Sequence, residues 1–448
     1  MTILDANSVT AIAFVIFCTT IILGQQVQFA YAGSACISYE RTQNTVNIMC
    51  NASFGDILRT INDPSIIENV QDQEYVLKAS LQVSDDTTFS MNSNDIKWLK
   101  IAGANGIVVN GKIQIDGVII TSWDTSTDDV VNQDMNGSIS RAYIQFPGSE
   151  GAQITNSEFA YLGYVEPGQR GFDLFGGGAP SHDMEIRGNK FHDMWMAFYS
   201  SGAYNITIDG NEYYNNIKYA LDPHTGTHNM NVTNNWLHNN LIGIICSDDC
   251  YNILVEGNRA DDNSNAGIFF SRNMTDSIAR NNHVHGGNTG IIISESPNNQ
   301  IYNNTLEASA EEGIFLFDPE LPDDGFTQNN LVYNNTILNS ENGISARSSQ
   351  NNILENNIFS DIESSEYQLS GNASVIIREQ HFDDALIAQQ GSSMNNVVEI
   401  VDSGTIDVVE RNDGEDNEED NEEESQYNTD NSPYRARLGD GDSIIVNS

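Results

Sequence analysis

The segments "ITIDGNEYYN" (206–215), "MNVTNNWLHN" (230–239) and "ILVEGNRADD" (253–262) share one pattern: a short apolar run, a Gly-Asn or Asn-Asn pair, then a second short run. The pattern recurs at 184–193, 277–286, 300–308, 331–339 and 352–361, so the second residue of each pair falls at Asn189, Asn211, Asn235, Asn258, Asn282, Asn304, Asn335 and Asn357. The gaps are 22, 24, 23, 24, 22, 31 and 22, and the long one holds an inserted loop, "DPELPDDGF" (318–326). A second strand repeats in step: "GIICS" from 243, "GIFFS" from 267, "GIIIS" from 290, "GIFLF" from 313 and "GISAR" from 343. Two or three short strands in a turn of this length predict an all-β chain, a right-handed parallel β-helix. Each turn of such a solenoid stacks about 4.8 Å from the next. The recurrent Asn is expected to form a ladder at one corner, satisfying groups that are costly to bury. A leucine-rich repeat lacks its L-x-x-L-x-L spacing here, and a propeller needs blades of about 40 residues.

The solenoid is expected over 96–400. Residues 33–95 read as a small N-terminal capping region with one helix, "SFGDILRTI" (53–61). Residues 401–448 read as an acidic, largely disordered tail, because "DGEDNEEDNEEE" (413–424) has nine acids and no apolar residue. Residues 1–32 read as a signal peptide. Their apolar run (11–24) is short for a membrane span and "AYA" (30–32) offers a cleavage site, although Asp5 is the only charge before the run. An uncleaved segment would make it an anchor. After cleavage four cysteines remain, and local pairing, Cys36–Cys50 and Cys246–Cys250, is expected in an exported protein. Eight N-x-Ser/Thr sequons, at Asn51, Asn136, Asn205, Asn231, Asn273, Asn303, Asn334 and Asn372, offer glycan acceptors, several of them by-products of the repeat. The net charge of −44 repels nucleic acid and anionic lipid, and suits a secreted, cell-surface or periplasm-like compartment.

One turn departs from the pattern. In "YALDPHTGTH" (219–228), Ala220 aligns with Gly243, Gly267 and Gly290, and His224 with Ser247, Ser271 and Ser294. Pro223 cannot donate to a ladder, so an interrupted strand is expected there. His has the side-chain pKa closest to neutrality and suits removal of a weakly acidic carbon-bound proton. A turn histidine bonded to backbone is the plainer reading. The crowding of Tyr219, Asp222, His224 and His228, with Lys218 adjacent and Arg272 two turns on, weighs against it.

The stretch from "SEFAYLGY" (157–164) through "FHDMWMAFYS" (191–200) to the D-P-H turn resembles the mannuronan C5-epimerases of the AlgG type. The resemblance covers roughly residues 75–360 and includes "WLKI" (98–101), "ITSWD" (120–124) and "SRAYI" (140–144). It implies that His224 removes the C5 proton of a uronate in an anionic polysaccharide, turning β-D-mannuronate into α-L-guluronate. In that scheme Asp222 orients the imidazole, Tyr219 bonds the reacting sugar, and a water or hydroxyl returns a proton to the opposite face. Lys218, Tyr199, His228, Ser247 and Asp248 are the expected substrate contacts. The family carries an Arg where this chain has Asp248, so the cation that offsets the sugar carboxylate must come from elsewhere. Arg272 is the first candidate, with a reach of about 6–7 Å against about 10 Å for two strand spacings. No cofactor is implied, and Ca²⁺ is the one ion that the many Asp and Asn side chains suit.

A β-eliminating lyase removes the same proton and expels the 4-O-linked sugar instead. A glycoside hydrolase would need facing carboxylates, and the pairs Asp248–Asp249 and Asp261–Asp262 are the candidates. A non-catalytic polysaccharide-binding surface solenoid is the reading from another class. The acidic charge favours it unless Lys218, Arg187, Lys190, Arg259, Arg272 and Arg280 make the groove locally positive.

Overall fold

The computed structural model describes residues 36–175, 179–319 and 326–378, then the shorter segments 386–390, 396–401, 406–410, 434–438 and 443–447. The signal-like segment and the acidic run 413–424 lie outside the described residues.

Each turn contributes a strand to three parallel sheets. In the turn around 242–261 these are Ile242–Ser247 (sheet 1), Tyr251–Glu256 (sheet 2) and Arg259–Asp261 (sheet 3). The register is strict: Ile244 pairs with Ile268, Ile268 with Ile291, and Ile291 with Ile314. Period-2 alternation therefore stacks like on like, and Ile, Val, Leu and Phe side chains fill the interior. Phe159, Phe191 and Tyr213 form one internal stack, with centroids 5.0 and 4.8 Å apart.

The Gly-Asn and Asn-Asn pairs have a physical basis. Their first residue turns the corner with positive φ (Asn234 55°, Gly257 66°, Asn281 54°), a conformation open chiefly to Gly and Asn. Their second residue is buried and joins the predicted ladder. The Asn235 backbone N–H and its Nδ2 both donate to Asn258 Oδ1, at 2.9 and 3.0 Å, and Nδ2 also donates to the Ile208 carbonyl. The ladder runs from Asn189 to Asn357. The other two corners carry ladders as well: Asn216–Asn240–Asn263, and Ser277–Asn299–Asn330–Asn352.

Parallel pairing reaches back before residue 96, since Thr45–Ile48 pairs Ser80–Val83, and Thr88–Asn92 pairs Lys112–Asp116. Helix Phe54–Ile61, the one α-helix among the described residues, has a reciprocal Ser53–Asp56 cap and inserts Phe54 and Ile57 into this end of the core. Within the expected tail, Tyr434–Leu438 and Ser443–Asn447 pair with Leu386–Gln390 and Val397–Val401.

Cys36–Cys50 is a disulfide across the hairpin Ile37–Glu40/Thr45–Ile48. The expected Cys246–Cys250 bridge is absent. Both are free, buried thiols; Cys246 points into the core from mid-strand, and the Cys250 thiol donates to the Ser247 carbonyl at 3.0 Å. No helix among the described residues is long and apolar enough to cross a membrane.

Candidate active site

The D-P-H stretch lies in sheet 1 as the unbroken strand Tyr219–His224, so the expected interruption does not occur. Pro223 pairs with Ser200 of the preceding turn, while pairing to the following turn runs through Tyr219, Leu221 and His224. The imino nitrogen costs the ladder a donor without bending the strand out of the sheet. Leu221 faces the core; Tyr219, Asp222 and His224 face outward.

Strict register makes the outer face a set of columns. Asp173 pairs with Tyr199 and Tyr199 with Asp222, in three successive turns. Beside them run Ser201, His224, Ser247, Ser271 and Ser294. The alignment of His224 with the serines is thus the one read from the sequence.

The His224 imidazole is held by its own neighbour. Nδ1 lies 2.6 Å from Thr225 Oγ1, and that hydroxyl donates to Asp248 Oδ2 at 2.9 Å. Thr225 has a single proton and spends it on the carboxylate, so toward the ring it accepts. That arrangement suits the tautomer with the ring hydrogen on Nδ1, in which Nε2 keeps its lone pair. Burial pushes the His224 pKa below its usual value; Asp248 opposes this, and the positive charges of Arg272 and Arg170 add to it. The lowered pKa favours the neutral ring. Thr225 and Asp248, rather than Asp222, are the side chains that lie against Nδ1.

Asp222 is instead nearly fully buried, and burial pushes its pKa up to about 8 against the pull of Arg170 and then Arg272. Asp173 is pushed up to about 6 by burial, opposed by Arg170. One oxygen of Asp173, one of Asp222 and the Ser247 hydroxyl are buried without a hydrogen-bond partner among the described residues. Buried polar atoms are normally paired, so these three, on one face in neighbouring columns, leave hydrogen-bonding capacity that a water or a ligand group would fill.

A second cation besides Arg272 is one that sequence reasoning missed. Arg170 pairs with Asp173 at 3.4 Å and lies 3.9 Å from the Tyr199 ring centroid. Its loop leaves the solenoid after Leu162. Arg141, fully buried, donates to the carbonyls of Leu162, Gly163 and Asp193 and fixes the loop's root. Gly163 (φ 82°) is required there, because a Cβ would meet the Arg170 carbonyl at 2.0 Å. The one signal available was register: "QRGFDLFG" (169–176) precedes "AFYSS" by one turn of sheet 1.

The other expected contacts divide. Tyr199 lies with its ring 5.5 Å from His224, and its pKa is raised by burial. Ser247 is the next residue in the His224 column, and Arg272 acts on Asp222, His224 and Tyr219. Lys218 stands at the sheet's edge, its ammonium 5.3 Å from the Trp195 ring. His228 is a correction: Thr225 and Gly226, both at positive φ, carry the chain round the corner into sheet 2. There His228 stacks between Tyr204 and Tyr251 at 5.3 and 4.5 Å. Arg187, Lys190, Arg259 and Arg280 are bound in ion pairs on sheets 2 and 3. One group among the described residues, Glu150, His182 and Asp183, brings three potential metal donors within 4.8 Å of one another, away from the His224 columns.

The family model of the right-handed β-helix region matches residues 122–284, 245–382 and 275–414. The chain belongs to that family. Within it, the chain is similar to the mannuronan C5-epimerase of Pseudomonas aeruginosa, 25% identical over 185 residues, which are 39% of this chain and 34% of that one. The Pseudomonas putida enzyme of the same name is 25% identical over 153 residues, 32% and 29% of the two chains. The chain thus spans about a third of the length of these relatives. In fold it is similar to the periplasmic alginate epimerase AlgG (TM-score 0.54, 16% identity, 90% of this chain and 85% of that one). A second likeness is to the A-module of the Azotobacter vinelandii mannuronan C-5 epimerase AlgE4 (TM-score 0.51, 15% identity, 71% and 89%).

Proposed function

We propose that this chain is a polymer-level C5-epimerase that converts β-D-mannuronate, or a similar uronate, to its C5 epimer within the polysaccharide. The observation that carries the reading is the Asp248–Thr225–His224 relay, which leaves a neutral imidazole with Nε2 free on an outward face. Nε2 takes the C5 proton, and the C–H electron pair spreads onto the adjacent carboxylate. Arg170 and Arg272 offset the second negative charge, and the proton-bearing Asp222 carboxyl can donate to the same group. Asp222 and His224 project from one face of the sheet. A proton arriving on the opposite face of C5 is therefore assigned to water or a sugar-side hydroxyl, and Tyr219 to binding the sugar ring. The relatives named mannuronan C5-epimerase support this substrate class. The periplasmic neighbour and the disulfide support an exported protein.

Asp222 also favours a second reading. A carboxyl that keeps its proton to about pH 8 beside the base could serve a departing O4 and turn the same first step into β-elimination.

One experiment decides. The protein is incubated with polymannuronate in deuterated water and followed by proton NMR and by absorbance of unsaturated uronate. The epimer with deuterium at C5 is the expected product. Unsaturated ends mean a lyase, shortened chains without unsaturation a hydrolase, and an unchanged polymer a binding solenoid. His224→Ala is expected to abolish exchange with the fold kept; exchange at the original rate removes His224 as the base.

A further inference from the structure

The His224 column continues past the serines. Ser294 pairs with Phe317 of the next turn, and Phe317 with Arg347 of the turn after. Arg347 therefore stands in line with His224, five turns away on the same face. Between them stand only Ser247, Ser271, Ser294 and Phe317, so the strip carries no bulky side chain until its far end. There the Arg347 guanidinium lies 5.0 Å from the Phe315 ring and 5.1 Å from the Phe317 ring, which are themselves stacked at 4.7 Å. Arg347 is exposed and, among the described residues, in no ion pair. Most of the other described Lys and Arg side chains are held in ion pairs, with Lys218 and Arg272 among the exceptions.

We propose that Arg347, held on the Phe315–Phe317 platform, is a distal subsite that binds a uronate carboxylate of the polymer whose reacting residue sits at His224. The proposal rests on the polyuronate reading of the site and extends it to substrate length. Five strand spacings of about 4.8 Å make about 24 Å. An extended 1,4-linked pyranose advances about 5 Å per residue, close to one strand spacing, so the residue at Arg347 is the fifth from the reacting one. A guanidinium stacked on aromatic rings is pre-oriented, keeps its in-plane N–H donors free, and suits bidentate capture of a carboxylate. The exposed edges of Phe315 and Phe317 offer an apolar surface for a sugar face.

The test measures binding in the His224→Ala protein, so that turnover does not enter. Calorimetric affinities for a mannuronate trimer, a mannuronate octamer and a neutral 1,4-linked glucan octamer are compared with and without Arg347→Ala. The expected result is about a tenfold loss for the mannuronate octamer, equivalent to one charge-assisted contact, and none for the trimer, which cannot bridge five turns. Arg347→Lys should recover part of the loss, and the neutral octamer should bind weakly to every form. Unchanged octamer affinity in Arg347→Ala, or an equal loss for trimer and octamer, overturns the subsite. The deuterium experiment above fails independently: a chain that binds the octamer through Arg347 without C5 exchange keeps the subsite and loses the epimerase.

Discussion

The Arg170 guanidinium lies over the Tyr199 ring at 3.9 Å while paired with Asp173 at 3.4 Å, and it heads the charges that hold down the Asp222 pKa. Arg170 arrives on a loop and Tyr199 on a strand of sheet 1. Their contact brings a fixed positive charge to the column that ends at Asp222, on the N-terminal side of His224. Arg272 supplies the second charge from the C-terminal side.

Removing that charge should damage chemistry more than binding. On the epimerase reading, Arg170→Ala leaves the sugar carboxylate without one of its two counter-charges and lets burial push the Asp222 pKa above about 8. A fall in kcat on the order of 10²-fold is expected, with partial recovery in Arg170→Lys and a smaller loss in Arg272→Ala. C5 deuterium incorporation measures all three. If Arg272→Ala were inactive and Arg170→Ala near wild type, the ranking of the two cations would be reversed.

Asp248 raises the His224 pKa, so Asp248→Asn should lower it further. The base form then persists to more acidic pH, and the acid limb of kcat/KM moves down the pH scale. At neutral pH the rate should still fall, by about tenfold, because the acceptor-only carboxylate is replaced by an amide that can also donate to the Thr225 hydroxyl, and the ring loses its fixed tautomer. A pH–rate profile for the variant and the wild type checks both effects. An acid limb moving upward would mean that Asp248 does not face the ring.

The buried thiols lead to a different measurement. Burial raises the Cys246 pKa well above the usual thiol range and takes Cys250 to about 12, so neither is a ready thiolate. Native protein should resist iodoacetamide at both positions, and unfolding without reductant should expose both. Mass spectrometry should find Cys36–Cys50 as the bridged pair. A Cys246–Cys250 crosslink in that digest would contradict the free pair.

The fold was legible because a solenoid writes its architecture into a period. Every turn meets the same neighbours, so the Gly-Asn corner, the inward apolar positions and the alignment of His224 with Ser247 all repeat visibly in one dimension. The active face was legible only where it interrupts that repeat, at D-P-H. Arg170 belongs to an excursion (163–171) with no repeat to align against, and its place depends on Gly163, packed against the Arg170 carbonyl, and on Arg141, whose donors reach carbonyls 21, 22 and 52 residues further along the chain. His228 misled for the opposite reason. It is near His224 in sequence, but two residues of positive φ separate them by a corner. Cys246 and Cys250 misled because their spacing suits a bridge as readily as it suits two thiols packed into a core.

The corner ladder carries the last prediction, one about stability alone. Asn258 accepts from both the backbone N–H and the Nδ2 of Asn235, and its own Nδ2 donates to the Val232 carbonyl and to Asn282 Oδ1. Asn258→Ala would strand the Asn235 backbone N–H and one N–H of its amide, and would take one donor each from the Val232 carbonyl and from Asn282 Oδ1, which keeps the Asn258 backbone N–H, at a site that is 2% exposed. Each stranded buried group costs about 1–3 kcal/mol, and the smaller side chain leaves a void that lets neighbours relax only in part. A loss of roughly 3–5 kcal/mol is therefore expected, read as a lower denaturant midpoint with an unchanged slope. Asn234→Ala, one residue before the adjacent rung, should cost less, about 1–2 kcal/mol, because its penalty is mainly the positive φ of an exposed corner. Equal losses in the two variants would show that the corner is held by backbone geometry and that the amide ladder adds nothing to it.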